Sequence, residues 1–174
     1  MTDDQEPRRF DPASPEFRLD ASPFYWLTRV SGRYLLAMER SLKAIGMDVP
    51  RWRVLMILSE QEPAAVGLLA ESSVVKLATM TRIVQRMEKA GLVTTGPRAT
   101  DARVRDVSMT EQGRTALQQV RAEGSQVFGR AFVGSDDGEI EDLVRHLRRL
   151  FTSLDARQPL SREHDDKLAS KPSA

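Results

Sequence analysis

Cysteine is absent from this chain of 174 residues. That absence excludes disulfides, thiolate catalysis, Cys-based zinc sites and thiol-based oxidation sensing. Histidine is scarce. His146 and His164 stand far apart with no partner at metal-ligand spacing, so neither a metal nor a cofactor is expected. Long apolar runs are missing as well, and nothing approaches the roughly 20 residues needed to span a bilayer. Residues 1–12 are polar and acidic, which is unlike a secretory signal, so a cytoplasmic protein is expected. No His lies near a Ser/Asp constellation and no Gly-rich phosphate loop occurs, so the chain is not expected to be an enzyme.

What is present is ordinary in bulk and uneven in detail. At 40% hydrophobic and 29% charged residues, the composition is that of a globular protein. The net charge of +1 hides an asymmetry. From Lys76 to Arg105, seven cations (Lys76, Arg82, Arg86, Lys89, Arg98, Arg103, Arg105) face two anions, Glu88 and Asp101. A local basic segment on a near-neutral chain is the footprint of a polyanion partner, and equally that of a solvated face.

The apolar pattern predicts a mainly α fold. Residues 1–21 lack periodicity and read as a disordered tail, as do residues 156–174; residues 22–155 read as one domain. Ser22 and Pro23 open a helix with Leu27, Val30, Tyr34, Met38, Leu42 and Ile45 on one face, closed by Gly46. Phe24, Trp26, Leu35 and Leu36 make that helix apolar on a second side, which must also be buried. Pro50 opens a second helix that stops at Glu62-Pro63. A short helix over residues 66–72, a turn at Ser72-Ser73 and a longer helix from Lys76 to Ala90 follow. Strands are predicted at 92–95 and 104–109, joined by a long loop containing Gly96, Pro97 and Asp101. Thr110 caps a helix reaching about Val133, with a seam of Gly113, Leu117, Val120, Gly124, Val127 and Ala131. Asp136 to Glu139 forms a capping box for a last helix striped with Ile140, Leu143, Leu147, Leu150 and Leu154. A short helix, a tight turn, a longer helix and a hairpin make a winged helix-turn-helix.

Within the Lys76–Ala90 helix, Met80, Ile83, Val84 and Met87 fit a core, with Leu77 at their edge. Ala78, Thr79, Arg82, Gln85 and Arg86 face the other way, and Lys76 sits near the start. A major groove suits such a face: Arg for guanine edges or phosphates, Thr for methyls or phosphates, Gln for adenine. An amphipathic surface helix has the same pattern. Arg98, Arg103 and Arg105 cluster around Asp101 in the hairpin, where arginine can enter a minor groove or track phosphates. A basic helix followed at once by a basic hairpin is hard to explain as core packing.

Several stretches together resemble the MarR family of bacterial transcription regulators. They are Trp52-Arg53-Val54-Leu55, Leu69-Ala70-Glu71, Thr79-Met80-Thr81-Arg82-Ile83-Val84, Arg86 to Val93, Asp101-Ala102-Arg103 and Met109-Thr110-Glu111-Gln112-Gly113. The resemblance runs from about Asp48 to Leu117. It implies a homodimer in which residues 22–46 and 110–155 supply dimerisation helices around winged helices at 50–109. It also implies a palindromic double-stranded DNA operator, repression of a nearby gene and release by a small, often aromatic acid effector. Thr79, Arg82 and Arg86 then become recognition-helix contacts, and Asp101 with Arg103 the wing signature. Leu77 and Ala78 depart from the small polar or basic residues common early in that helix.

An effector pocket is drawn from Trp26, Tyr34, Met38, Trp52 and Met56 as walls, with Arg33, Arg51 or Arg53 as the anion partner. The same large residues at helical spacing also serve as core. The alternative function is a winged-helix protein–protein module without DNA binding.

Overall fold

The computed structural model describes residues 8–98 and 100–155. Helix α1 (Pro23–Ala44) and helix α2 (Val49–Glu60) precede a two-residue strand β1 (Ala64–Ala65), helix α3 (Val66–Ser72) and helix α4 (Leu77–Lys89). Strands β2 (Val93–Arg98) and β3 (Asp101–Met109), helix α5 (Glu111–Ala131) and helix α6 (Asp137–Asp155) complete the order. Two compact units are present, one ending at Ala131 and one beginning at Phe132.

Caps explain the boundaries. The Ser22 hydroxyl accepts from the Tyr25 amide and Asp48 accepts from the Arg51 amide, so α2 opens on Asp48 with Pro50 in its first turn. Gly46 and Gly91 each take φ +70 after α1 and α4, a region that residues with a Cβ avoid. The core of the first unit joins Met38 and Leu42 of α1, Val54, Leu55 and Leu58 of α2, Met80 and Met87 of α4, and Val120 of α5. Met38, Leu42, Val54, Leu55 and Met87 are fully buried.

The sheet has order β1-β3-β2, all antiparallel, with Ala64 opposite Val107 and Val93 opposite Met109. The predicted strands at 92–95 and 104–109 grow to six and nine residues, which leaves only residues 99 and 100 between them. Gly96 and Pro97 do not interrupt β2 because it is an edge strand, where a missing N–H breaks no ladder. β1 is too short to leave a periodic signal, and the sequence did not show it.

Two further expectations need correction. Part of the segment read as a tail is ordered: turns close from Asp11 to Arg8, Ser14 to Asp11 and Phe17 to Ser14, and a 3-10 helix spans Leu19–Ala21. Asp11 and Ser14 side chains accept from Ala13 and Glu16 amides, and Trp26 Nε1 donates to the Asp20 carbonyl at 2.6 Å. Residues 1–7 and 156–174, also read as tails, lie outside the described residues. On α1, Met38 and Leu42 are buried, but Leu27, Val30 and Tyr34 are exposed in the single chain.

The α5 seam also works differently. Ser41 of α1 donates to Glu123 of α5 at 2.6 Å, and Gly124 lies by the Met38 methyl, as a helix–helix seam requires. Gly113 instead faces a strand: a Cβ there would stand 2.0 Å from the Leu92 carbonyl oxygen. Glu62, beyond α2, accepts from the Met109 amide and from Arg114, tying α2, β3 and α5 together.

In the second unit, the Asp136 amide donates to Glu139 while the Glu139 amide donates to Asp136, the reciprocal box expected. Leu143, Val144, Leu147, Leu150, Phe151 and Leu154 of α6 are all exposed.

Gly113→Ala separates two opposed effects. Helix propensity favours alanine by about 1 kcal/mol. The clash with a backbone oxygen has no flexible partner to absorb it, and overpacking typically costs about 1–3 kcal/mol or more. Urea unfolding at fixed protein concentration is expected to show net destabilisation of about 2 kcal/mol. A more stable variant would refute the close approach.

Candidate nucleic-acid interface

α4 is held by one face. Met80, Ile83, Val84 and Met87 are buried, and the opposite face exposes Ala78, Thr79, Arg82, Gln85 and Arg86. Lys76 occupies the N-cap position with an exposed side chain. No acidic residue stands in the first turn of α4, and Arg86 and Lys89 lie in the last. Among the described residues, Lys76, Arg82, Arg86 and Lys89 have no ion-pair partner. Thr79, Arg82, Gln85, Arg86 and Lys89 line a groove of about 590 Å³ with Pro50 of α2. A rigid helix thus presents unneutralised cations beside short polar side chains on a concave face.

The wing arranges its charges otherwise. Arg98 donates to both oxygens of Asp106, at 2.8 Å to Oδ1 from Nη2 and 3.1 Å to Oδ2 from Nε. Hydrogen bonding to Asp106, then its charge, push the Arg98 guanidinium above its ordinary range. This pair spans the register shift between Pro97 and Arg98. Arg98, expected as a free cation, is therefore already engaged. Arg103 Nε pairs with Asp101 at 3.2 Å, and the Arg103 amide donates to the same carboxylate. Its side chain stays 92% exposed, so it projects from the tip while Asp101 fixes its base. Arg105 Nη2 donates to Thr95 Oγ1 at 2.8 Å, and Thr95 donates through both its amide and its hydroxyl to Glu88 at the end of α4.

The structure therefore places Lys76, Ala78, Thr79, Arg82, Gln85 and Arg86 on one exposed helix, and Asp101, Arg103 and Arg105 on the adjoining hairpin. Sequence reasoning missed Glu88, Thr95 and Asp106 as the groups that orient the wing. In the ladder Arg98 stands opposite Asp101 and Asp106 opposite Gly96, and the Arg98 side chain reaches Asp106 diagonally, so spacing alone could not pair them.

The pocket residues separate. A cleft of about 480 Å³ lies between α1 and the end of α5, lined by Trp26, Arg29, Val30, Arg33, Tyr34, Ala37, Val127, Arg130 and Ala131. Trp26, Arg33 and Tyr34 are among the expected residues. Met38, also expected there, does not line the cleft: it is fully buried in the core. Trp52 and Met56 pack half-buried on α2, with Trp52 meeting the Tyr34 ring edge-on at 6.0 Å. The cleft's arginines were underestimated, because Arg130 comes from a distant helix. Arg29, Arg33 and Arg130 have no ion-pair partner among the described residues. No acidic residue occurs between Asp20 and Glu39 or between Glu123 and Asp136. Burial pushes the Tyr34 phenol above its ordinary pKa, with nearby Arg53 opposing, so it remains a neutral donor at pH 7. Among the described residues no cluster of His, Asp or Glu could hold a metal, and no helix is long and apolar enough to cross a membrane.

A short helix, a tight turn, an exposed basic helix and a braced basic hairpin define a winged helix-turn-helix DNA-binding transcription regulator. Comparison with known proteins narrows this. The MarR family model matches residues 47–104. The chain is 43% identical over 145 residues to the HTH-type transcriptional repressor IacR of Pseudomonas putida, covering 83% of this chain and 87% of that protein. It is 33% identical over 124 residues to the transcriptional activatory protein BadR of Rhodopseudomonas palustris, covering 67% of each. The crystal structure of CouR from Rhodococcus jostii bound to p-coumaroyl-CoA superposes with a TM-score of 0.69 at 25% identity, over 81% of this chain and 96% of that one. The chain belongs to the MarR family, whose members are transcription factors and not enzymes.

The Arg98–Asp106 pair yields a prediction about salt. Each phosphate neutralised adds about −0.9 to the log–log slope of affinity against salt. Arg98→Ala is expected to weaken DNA binding with the slope unchanged, because its charge is already spent on Asp106. A slope shallower by about 0.9 would make Arg98 a phosphate contact instead.

Proposed function

We propose that this protein is a cytoplasmic homodimeric repressor that binds a palindromic operator and releases it when a small aromatic anion binds. The observation that carries the DNA reading is the set of four cations, three on α4 and one at its N-cap, that have no ion-pair partner among the described residues, beside Thr79 and Gln85 and next to a braced wing. A structural helix of this protein would gain nothing from leaving Lys76, Arg82, Arg86 and Lys89 without counter-charges. Thr79, Arg82, Gln85 and Arg86 face the major groove, Lys76 reaches a phosphate, and Arg103 and Arg105 reach the backbone or minor groove beside the wing. Repression rather than activation follows the more similar of the two relatives, IacR at 43% identity.

The dimer reading rests on apolar surface. Phe24, Leu27, Val30 and Leu36 on α1, and Leu143, Leu147, Leu150 and Leu154 on α6, are exposed in the single chain. Stripes this long are uncommon on a monomer and mark an interface. A second copy covering them sets the separation of the two recognition helices, which must meet grooves about 34–36 Å apart.

The effector reading rests on the α1–α5 cleft. Trp26 and Tyr34 supply aromatic walls, and Arg29, Arg33 and Arg130 supply positive charge with no acid near them in sequence. An aromatic ring bearing a carboxylate satisfies both.

DNA binding by Arg82→Ala tests the first reading. A base contact predicts a loss of about 1–3 kcal/mol with relaxed specificity at one position of each half-site. An unchanged footprint and affinity would remove Arg82 from the interface. For the cleft, Arg33→Ala is expected to raise the concentration of aromatic carboxylate needed to release DNA about tenfold or more, since a charge-assisted hydrogen bond contributes about 1.5–3 kcal/mol. An unchanged release curve across a panel of such acids would dismiss the cleft as the effector site.

A further inference from the structure

The N-terminal end of α4 begins with residues that are neither polar nor covered. Val74, in the turn between α3 and α4, is 84% exposed, and Leu77, the first residue of α4, is 58% exposed. Ala78 beside it is exposed too. Leu77 lies on the same stripe as Met80, Val84 and Met87, which are all buried. The apolar stripe of the helix therefore runs past the end of the core and out to the surface. Val74 carries φ +54. That region favours glycine or asparagine, and a β-branched residue there is a true outlier. Burial does not offset the strain, because the side chain is in solvent.

The largest apolar group on base edges in a major groove is the 5-methyl of thymine, which projects beyond the C5–H of cytosine. The hydrogen-bond donors and acceptors there would be desolvated by an aliphatic side chain without replacement. The N-terminal end of a recognition helix is where base contacts concentrate. Lys76, Thr79 and Arg82 flank the apolar pair in sequence and supply the phosphate and polar contacts around it. We propose that Leu77 and Val74 read thymine methyl groups, so that α4 selects A·T pairs at fixed positions in each half-site. This rests on α4 being the recognition helix and names what its first turn recognises.

The experiment uses the full chain. Duplexes are selected from a random pool, and the enriched sequence is resynthesised with deoxyuridine replacing thymidine one position at a time. That change removes a methyl and keeps every hydrogen-bonding group. Affinity is expected to fall about fourfold at one or two positions per half-site, the worth of one buried methyl. In Leu77→Ala or Val74→Ala the matching penalty is expected to fall towards none. Alanine is the better helix former, so Leu77→Ala keeps the fold. Tolerance of deoxyuridine at every position would overturn the proposal while leaving sequence-specific binding intact. A penalty undiminished in both variants would also overturn it, because another residue would then hold the methyl. A pool that yields no enriched sequence would remove the DNA reading itself, and this proposal with it.

Discussion

The contact on which the rest depends is the close approach of α5 to the end of α4, at Gly113 and the Leu92 carbonyl. Gly91 ends α4, and its carbonyl accepts the Thr110 hydroxyl at 2.6 Å. One residue on, the Leu92 carbonyl accepts the Thr110 amide at 3.1 Å. The same Thr110 hydroxyl accepts from the Gly113 amide, which starts α5. A single threonine thus closes the hairpin, caps the next helix and holds the exit of the recognition helix. The knot is tight enough that Gly113 has no room for a Cβ. Glu62 reinforces it from the far side of β3 through the Met109 amide and Arg114. Reader and scaffold therefore meet through backbone atoms with little slack.

Given that frame, the basic residues divide by the stiffness of what carries them. α4 is already fixed by its buried face, so its cations need no partners to be placed, and among the described residues they have none. The hairpin has no core of its own at its tip, and there each arginine is tied: Arg98 to Asp106, Arg103 to Asp101, Arg105 through Thr95 to Glu88. Exposed ion pairs contribute only about 0–1 kcal/mol, so their value here is shape rather than stability. The most exposed of them, Arg103, can exchange Asp101 for a phosphate at small cost. Arg98, less exposed and bidentate, is the one least suited to that exchange.

Local chemistry was legible in the sequence wherever it was carried by neighbours. Ser22, Thr110 and the Asp136–Glu139 box are caps that act within a turn, and they appear where expected. The buried face of α4 was legible for the same reason, since four residues at helical spacing declare it. What could not be read was anything set by pairing at a distance. The length of the hairpin depended on Pro97 lying on an edge. The neutralisation of Arg98 depended on a diagonal contact across the hairpin, and the cleft on Arg130 meeting α1 from the far end of α5. Met38 illustrates the limit: its spacing placed it on the same face as Tyr34, but depth along α1 decides which of the two is core.

The α1–α5 cleft and the groove along α4 share no lining residue, so any coupling between them must pass through intervening contacts. The structure holds a short series of them. Tyr34, in the cleft, meets Trp52 of α2 edge-on. Its neighbour Arg53 donates to the Ser73 carbonyl at 3.4 Å, at the turn that leads into α4. That turn combines an unsatisfied hydroxyl with a residue at positive φ. The Ser73 hydroxyl is buried without a partner among the described residues, and Val74 stands at positive φ directly after it. Adjacency is not coupling, since a ligand moves an equilibrium only by binding its two states unequally. But a strained turn with an unsatisfied hydroxyl is poised to rearrange, because relief of both defects offsets part of what the new arrangement costs. A ligand that displaces the Tyr34 ring disturbs Trp52 directly and the Arg53 contact beside it. The strain therefore lies directly beside the point where Arg53 of α2 contacts the turn that leads into α4.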